Sequence, residues 1–433
     1  MVANVAEPET MTQSADNGPV NRRDRFAIPA LVLAAAISSI GNNLTAIAIP
    51  WFVYVTTGSA TQTGLVAVAG LLPVAIGGVL SGPIIDRLGF KQSSVISDIA
   101  SGVTVAIIPT LYLFDVLAYW HLIVLAFLGA LLDSPGWTAR GAMVPRLARN
   151  ATMPLERANS AIQLSQFGGQ VIGPAVAGTL IGFVGAASVL YINAGTFAVS
   201  ALLIGLVIAY PSRRDASDEH VAEQQPSSIM ADVKEGIRYI VRDPFISALL
   251  SIAVFANFLF SPLLAVVLPV FVKEQFDSAT AFGLLAASFG AGSVIGTIFY
   301  GVFGERLPRY PIYVGGSILL TTGMWILPFS TSLAISITGA LVAGLSLGPF
   351  NIVSTVALQE RVPEDMLGRV IGALSMTSLA SPLGVLLAGI GIDTIGIRPT
   401  MTFIAGGVTL IALVIFIHPD LRKVERPTEM EAQ

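Results

Sequence analysis

Residues 50–88 read PWFVYVTTGSATQTGLVAVAGLLPVAIGGVLSGPIIDRL, and residues 269–307 read PVFVKEQFDSATAFGLLAASFGAGSVIGTIFYGVFGERL. The second stretch is the first displaced by 219 residues without a gap, and 14 of 39 positions are identical. The identities include Pro50 with Pro269, Ser59-Ala60-Thr61 with Ser278-Ala279-Thr280, Gly64 with Gly283, Gly77 with Gly296, Gly82 with Gly301 and Arg87-Leu88 with Arg306-Leu307. Asp86 also falls on Glu305. Shared greasiness aligns apolar residues but not charges, so the chain reads as two copies of one half. A unit this long does not suit a solenoid. It suits a membrane protein of two parallel repeats about an axis along the bilayer normal, an arrangement in which the halves rock around a central site.

Working outward, the composition takes a bilayer as its solvent. Mean hydropathy is +0.77, and charged residues make up 12% of the chain, about half the share usual in soluble domains. Twelve stretches are apolar over a length that spans hydrocarbon as helix: about 27–57, 63–85, 93–114, 119–140, 158–182, 186–210, 244–272, 280–304, 310–329, 332–358, 367–390 and 396–417. They must be helices, because lipid offers no partner to an open backbone amide and the alternation of barrel strands is missing. The expectation is an all-α integral membrane protein of twelve transmembrane helices in two six-helix halves, 26–210 and 244–418, with polar tails at 1–25 and 419–433.

Lysine and arginine set the topology, since positive residues in short loops stay cytoplasmic. The N-terminal arm, the even-to-odd connections with the span ends that adjoin them and the C-terminal tail hold 21 of the 23, leaving Lys273 and Arg398 on the other side. Both termini are therefore expected in the cytoplasm of a multi-pass cell-membrane protein. The first 21 residues lack a basic n-region and a cleavage site, and read as a tail. Without cysteine, disulfide and thiol chemistry are excluded. The long internal connection, 211–243, begins as a polar tether. It then places Ile229, Val233, Ile237, Ile240 and Val241 on one helical face, with Lys234, Arg238 and Arg242 elsewhere, as expected of a helix lying on anionic lipid.

The second span ends Gly82-Pro83-Ile84-Ile85-Asp86-Arg87-Leu88-Gly89-Phe90-Lys91. This resembles the loop motif of the major facilitator superfamily. The resemblance implies that Asp86, with Gly82, Arg87, Gly89 and Lys91, latches the halves on the cytoplasmic side. The second copy keeps Gly301, Glu305 and Arg306 but has Pro308 where Gly89 stands. In the fifth span, Gly169-Gln170-Val171-Ile172-Gly173-Pro174 followed by Ala177-Gly178 resembles the antiporter motif of drug–proton exchangers, which implies export. Glycines at this spacing permit close helix packing, and Pro174 frees a carbonyl one turn earlier. Just before and within it, Asn159, Gln163, Gln166 and Gln170 share a helical face, and amides at membrane depth point to partners or an aqueous cavity.

Charges deep in the bilayer cost roughly 2.5–3.5 kcal/mol each on insertion scales, so each is a functional candidate. Asp133 in the fourth span is the foremost, followed at helical spacing by Trp137 and by Arg140 at the span's end. Burial and Arg140 act on its proton in opposite senses, the adjustable balance a proton carrier needs. Asp98, a turn and a half into the third span, is the secondary candidate and is expected to meet cytoplasmic arginines. Asn42 and Asn43 in the first span, Asn257 in the seventh and Asn351 in the tenth are further polar residues. The resemblance implies that spans one, four, seven and ten line the central cavity.

Within the superfamily the chain resembles the enterobactin-exporter and macrolide-efflux branch. The resemblance rests on Ala48-Ile49-Pro50-Trp51 with Thr57-Gly58-Ser59-Ala60, on Ala139 to Pro145, on DVKEGIRYIVRDP from Asp232 and on LQERVPEDMLGRV from Leu358. Asn42 stands where many members carry an aspartate, and Ser101 where an arginine often follows the third-span acid. These departures concentrate proton coupling on Asp133. The expected function is a secondary transporter, acting as a monomer, that exports a small amphiphilic compound such as a drug, macrolide or siderophore against inward protons. A lipid or lysophospholipid translocator on the same fold is the alternative. An enzyme, a receptor or a nucleic-acid partner is not expected: there is no nucleotide loop, no clustered metal-ligand set and no soluble sensing domain, and no cofactor or metal is called for.

Overall fold

The structure, a computed structural model, describes residues 22–208 and 238–425. The tails 1–21 and 426–433 and most of the connecting segment, with Ile229, Val233, Lys234 and Ile237, lie outside the described residues. Twelve long helices follow in order: α1 (Arg22–Thr57), α2 (Ala60–Leu88), α3 (Phe90–Leu113), α4 (Tyr119–Asn150), α5 (Leu155–Val184), α6 (Ala186–Val207), α7 (Pro244–Phe276), α8 (Ala279–Phe303), α9 (Arg309–Phe329), α10 (Leu333–Arg361), α11 (Arg369–Ile395) and α12 (Ile397–Ile417). Eleven of them are long and apolar enough to cross a membrane. The remaining one, α2, is continuous for 29 residues and carries no charge before Asp86.

Local chemistry explains the helix ends. Ser59, Ser278 and Ser332 accept from the backbone amides of Gln62, Ala281 and Ile335 and so cap α2, α8 and α10. Asp243 caps α7 through the amides of Phe245 and Ile246, with Pro244 in the first turn where its missing N–H costs nothing. Single glycines with positive φ, Gly89, Gly185 and Gly396, turn α2 into α3, α5 into α6 and α11 into α12. Pro308 cannot adopt that conformation, and the α8–α9 connection runs instead through a 3-10 turn at Gly304–Arg306. Helix α7 continues through a wider π turn at Leu263–Val267, just after Pro262.

The buried apolar residues fall into three clusters, and their arrangement describes the molecule's posture. One contains Trp51, Ala60 and Ile181 together with Val267, Phe282 and Val385, and therefore joins the halves. The other two belong to one half each: Ala27, Met143, Leu147 and Ile204 in the first, Phe245, Tyr313, Leu358 and Val370 in the second. The joined cluster lies at the end of the bundle away from the chain termini, here the far end; the separate ones lie at the near end. At the far end Trp51 stacks on Phe282, with ring centroids 6.2 Å apart, and the Tyr54 hydroxyl donates to Glu274 over 2.9 Å. Among the described residues the halves thus share a buried core at the far end and keep separate cores at the near end.

The second half's near end is closed by the chain after α12. A 3-10 turn at Pro419–Val424 folds back and buries Leu421 and Val424 completely. Glu425 then accepts from the amides of Arg309 and Tyr310 at 2.8 and 2.9 Å, capping α9. Arg309 reaches Glu360 with both guanidinium nitrogens at 2.6 and 2.8 Å. The end of the long connection docks on the same cluster: in the helical stretch 238–242, Ile240 is fully buried while Val241 is exposed. The sequence placed both on one apolar face; consecutive residues stand about 100° apart on a helix, and only Ile240 meets the protein. Glu425→Ala is expected to remove the α9 cap and cost about 1 kcal/mol. A thermal melt in detergent checks it, with an unshifted midpoint counting against the cap.

Candidate functional site

A polar core sits inside the first half, and α3, α4 and α6 build it. Arg140 Nη1 donates to Asp98 Oδ1 at 2.7 Å, and Ser200 Oγ donates to the other oxygen, Oδ2, at 2.7 Å. Asp98 is fully buried and Arg140 nearly so. Two expectations are corrected here. Helix α4 continues to Asn150, so Arg140 lies within the helix rather than at a span boundary. Asp98 meets this helix-borne arginine rather than one in the connecting loops, because its side of α3 faces α4 and α6. Ser200, a small hydroxyl in a mainly apolar span, gave no signal of its own.

Asp133 stands one step away from this pair. Its Oδ1 is 3.8 Å from Arg140 Nη2, and its Oδ2 accepts from Asn42 Nδ2 at 3.1 Å. Oδ1 is buried and takes no hydrogen bond from any described residue. The group of Asp98, Asp133 and Arg140 therefore holds two carboxylates against one guanidinium, with Asp98 claiming the short contact.

Two cavities border this group and another lies in the other half. A polar one of about 430 Å³ in the first half is lined by Asn42, Asn43, Trp137, Arg140, Gln166 and Gln170. A second, about 420 Å³, lies in the other half and is mainly apolar, with Phe260, Phe289, Met324 and Phe350 beside Asn257 and Asn351. The third, about 550 Å³, runs between α7 and the first half and includes Asn42, Asp133 and Phe260 in its wall. Asn42 borders the first and third, and Phe260, Ser261 and Leu264 border the second and third, so the three form one chain of spaces. Gln163 does not line the polar cavity; it is exposed a turn nearer the near end, as is Asn159. Asn257 is also tied structurally, donating to Thr377 on α11 at 3.1 Å.

The two sequence motifs occupy distinct positions. Gly82, Asp86 and Arg87 are exposed at the open near end. The glycines of α5 make close crossings: an added methyl would lie 2.3 Å from Ser39 Oγ at Gly169, 2.5 Å from Asn43 Cβ at Gly173 and 2.6 Å from Gly283 Cα at Gly178. Gly169 and Gly173 thus seat α5 on α1 beside the polar cavity, and Pro174 is buried between these contacts. Gly178 alone of the three reaches the other half.

A Major Facilitator Superfamily model matches residues 31–264 and 250–433. The chain belongs to that superfamily. It is 29% identical over 399 residues to the multidrug efflux pump Tap of Mycolicibacterium fortuitum, covering 91% of this chain and 96% of that protein. To macrolide efflux protein A of Streptococcus pyogenes it is 24% identical, covering 90% and 95%. These similarities agree with the efflux branch that the sequence motifs resemble. Among solved structures, the nucleoside transporter NupG superposes with a TM-score of 0.73 at 13% identity, covering 90% of this chain and 98% of that one. A bacterial homologue of the human lysosomal transporter Spinster, titled inward-facing and unoccupied, superposes with a TM-score of 0.69 at 14% identity, covering 93% and 98%. At such identities these two show the fold alone.

Arg140→Ala leaves the buried Asp98 without its cation, and a broken buried pair costs about 3–5 kcal/mol. The variant is therefore expected to melt well below the parent in detergent. The double change Asp98→Asn with Arg140→Gln should recover most of the loss, and equal melting of parent and Arg140→Ala would show the pair to be dispensable.

Proposed function

We propose that the chain is an efflux transporter of the cell membrane that carries a small amphiphilic compound, of the drug or macrolide kind, outward in exchange for protons. It works by alternating access and performs no covalent chemistry. The observation that carries this reading is Asp133 Oδ1, a buried carboxylate oxygen without a hydrogen bond among the described residues, in the wall of the cavity beside α7 and held there by Asn42, which borders the polar cavity as well. The efflux proteins to which the chain is similar support the direction of transport. The bias of arginine and lysine puts the near end in the cytoplasm, so the posture described above is the inward-open one.

The residues divide the work. Asp98 and Ser200 hold Arg140 in place, and Asn42 orients Asp133. The uncompensated negative charge in this group is met by a proton on Asp133 or by a positive or hydrogen-donating part of the substrate. The amides of Gln166 and Gln170 and the Trp137 ring supply polar and aromatic surface, while Phe260, Phe289 and Phe350 receive the apolar body. Protonation of Asp133 from outside then releases the substrate there, and loss of that proton inward restores the site.

Asp133→Asn, which fixes the neutral form, is expected to abolish uphill transport of labelled amphiphiles in liposomes under an imposed pH gradient and to weaken binding of cationic ones, with the remaining affinity no longer dependent on pH. Uphill transport at the parent rate would place the coupling residue elsewhere. Asp86→Asn is expected to weaken closure of the cytoplasmic side. Spin-label distances across that side should then shift toward the inward-open population, and unchanged distances would remove Asp86 from the gate.

A further inference from the structure

Ser-Ala-Thr is the longest run of identity in the internal repeat, at 59–61 and again at 278–280, and the cavities make no use of it. Both copies start a helix at the far end, α2 in one half and α8 in the other. Each start is crossed by a helix from the opposite half. Helix α11 brings Gly389 over the first copy, where an added methyl would lie 2.7 Å from the Ala60 carbonyl oxygen. Helix α5 brings Gly178 over the second, where a methyl would lie 2.6 Å from the Ala279 carbonyl oxygen. Ala60 and Ala279 are the same position of the repeat, so one contact is used twice and each use requires a glycine.

One turn further along, the two crossings differ: α11 presents Asp393 where α5 presents Gly182. Asp393 Oδ2 accepts from Ser59 Oγ at 2.8 Å and from the Thr61 amide at 2.9 Å, and Oδ1 accepts from the Ala60 amide at 2.9 Å. An acid of one half thus satisfies the first amides of a helix in the other, which have no partner within their own helix, and the positive end of the helix dipole adds to the attraction. At the second crossing the corresponding polar contact is neutral and longer, from Thr280 Oγ1 to the Gly178 carbonyl at 3.3 Å.

We propose that Asp393 is a positioning residue of the transport cycle: its cap on α2 is the charged latch that holds the far end closed, and it sets the balance between the far-closed arrangement and a far-open one. The Ser-Ala-Thr repeats are the two seats against which the halves close. Opening the far end exchanges the three hydrogen bonds for water, and Asp393 is exposed enough to take water up when the halves separate. The latch depends neither on the substrate nor on Asp133, so its test needs no transport.

The chain lacks cysteine, so paired labels can be introduced freely. Val116→Cys with Thr331→Cys reports across the far end, and Asn150→Cys with Pro363→Cys across the near end; all four positions are exposed. Distances are measured by electron–electron double resonance on the full chain in lipid nanodiscs without substrate. Asp393→Ala should raise the ratio of far-open to far-closed molecules about tenfold or more. Near-end distances should shorten in the same molecules. Asp393→Asn keeps the side chain's size and one acceptor oxygen, and should give a shift of about threefold or more if the alanine variant does not fold. Unchanged distance distributions in the folded variants overturn the proposal, whether or not thermal stability falls, since a merely structural residue would lower stability without moving the populations.

Discussion

Arg140 lies between two carboxylates in a medium where every charge must be compensated, and the first half is organised around that constraint. Placing an ion in low dielectric costs several kcal/mol even after relaxation. Two unit charges at the 3.8 Å separating Arg140 from Asp133 attract by about 4 kcal/mol at an effective dielectric of about 20. The two effects are of similar size. Asp98 takes the guanidinium's best hydrogen bond and Ser200 satisfies its remaining oxygen, so Asp133 receives the leftover attraction and one hydrogen bond from Asn42. Under the proposed exchange mechanism, the position of α1 and α4, which border the cavity, bears directly on that balance.

The contrast between the halves follows from the same constraint. The charged group and the amides of α5 belong to the first half, whereas the second half lines its cavity with Phe289, Met324 and Phe350. One repeated scaffold carries an electrostatic wall and a dispersive one. Glycines let the scaffold hold together without polar glue: in the second half an added methyl on Gly296 would come within 2.0 Å of the Leu345 carbonyl oxygen, so α8 and α10 touch backbone to backbone.

Much of the architecture was legible before any coordinates. Lipid forces each apolar run into a helix, and the charges preserved between the copies located the repeat. Asp133, Asn42, Gln166 and Gln170 were also legible, because polar residues are conspicuous against hydrocarbon. What could not be read were rotations and crossings. Asp98 and Arg140 are 42 residues apart, and their pairing depends on how α3 and α4 turn toward each other. Gln163 shares a helical face with Gln166 and still misses the cavity, since the face extends beyond the space it lines. Asp393 passed unnoticed because it follows the apolar part of its span and looks like an ordinary boundary acid. Its partners, Ser59 to Thr61, are more than 330 residues away in the chain.

The backbone contacts at Gly178 and Gly389 give the motion a mechanical character. Where helices meet through side chains, the joint is compliant, since rotamers yield before the backbone does. Here no side chain intervenes, and repulsion rises steeply within a few tenths of an ångström. The far end therefore closes against a hard stop with a sharply defined position. Among the described residues no such backbone joint links the halves at the near end, where the motif presents long side chains such as Arg87. On the proposed alternating-access cycle, closure there is a docking of side chains, so the two ends of the stroke would differ in stiffness as well as in direction.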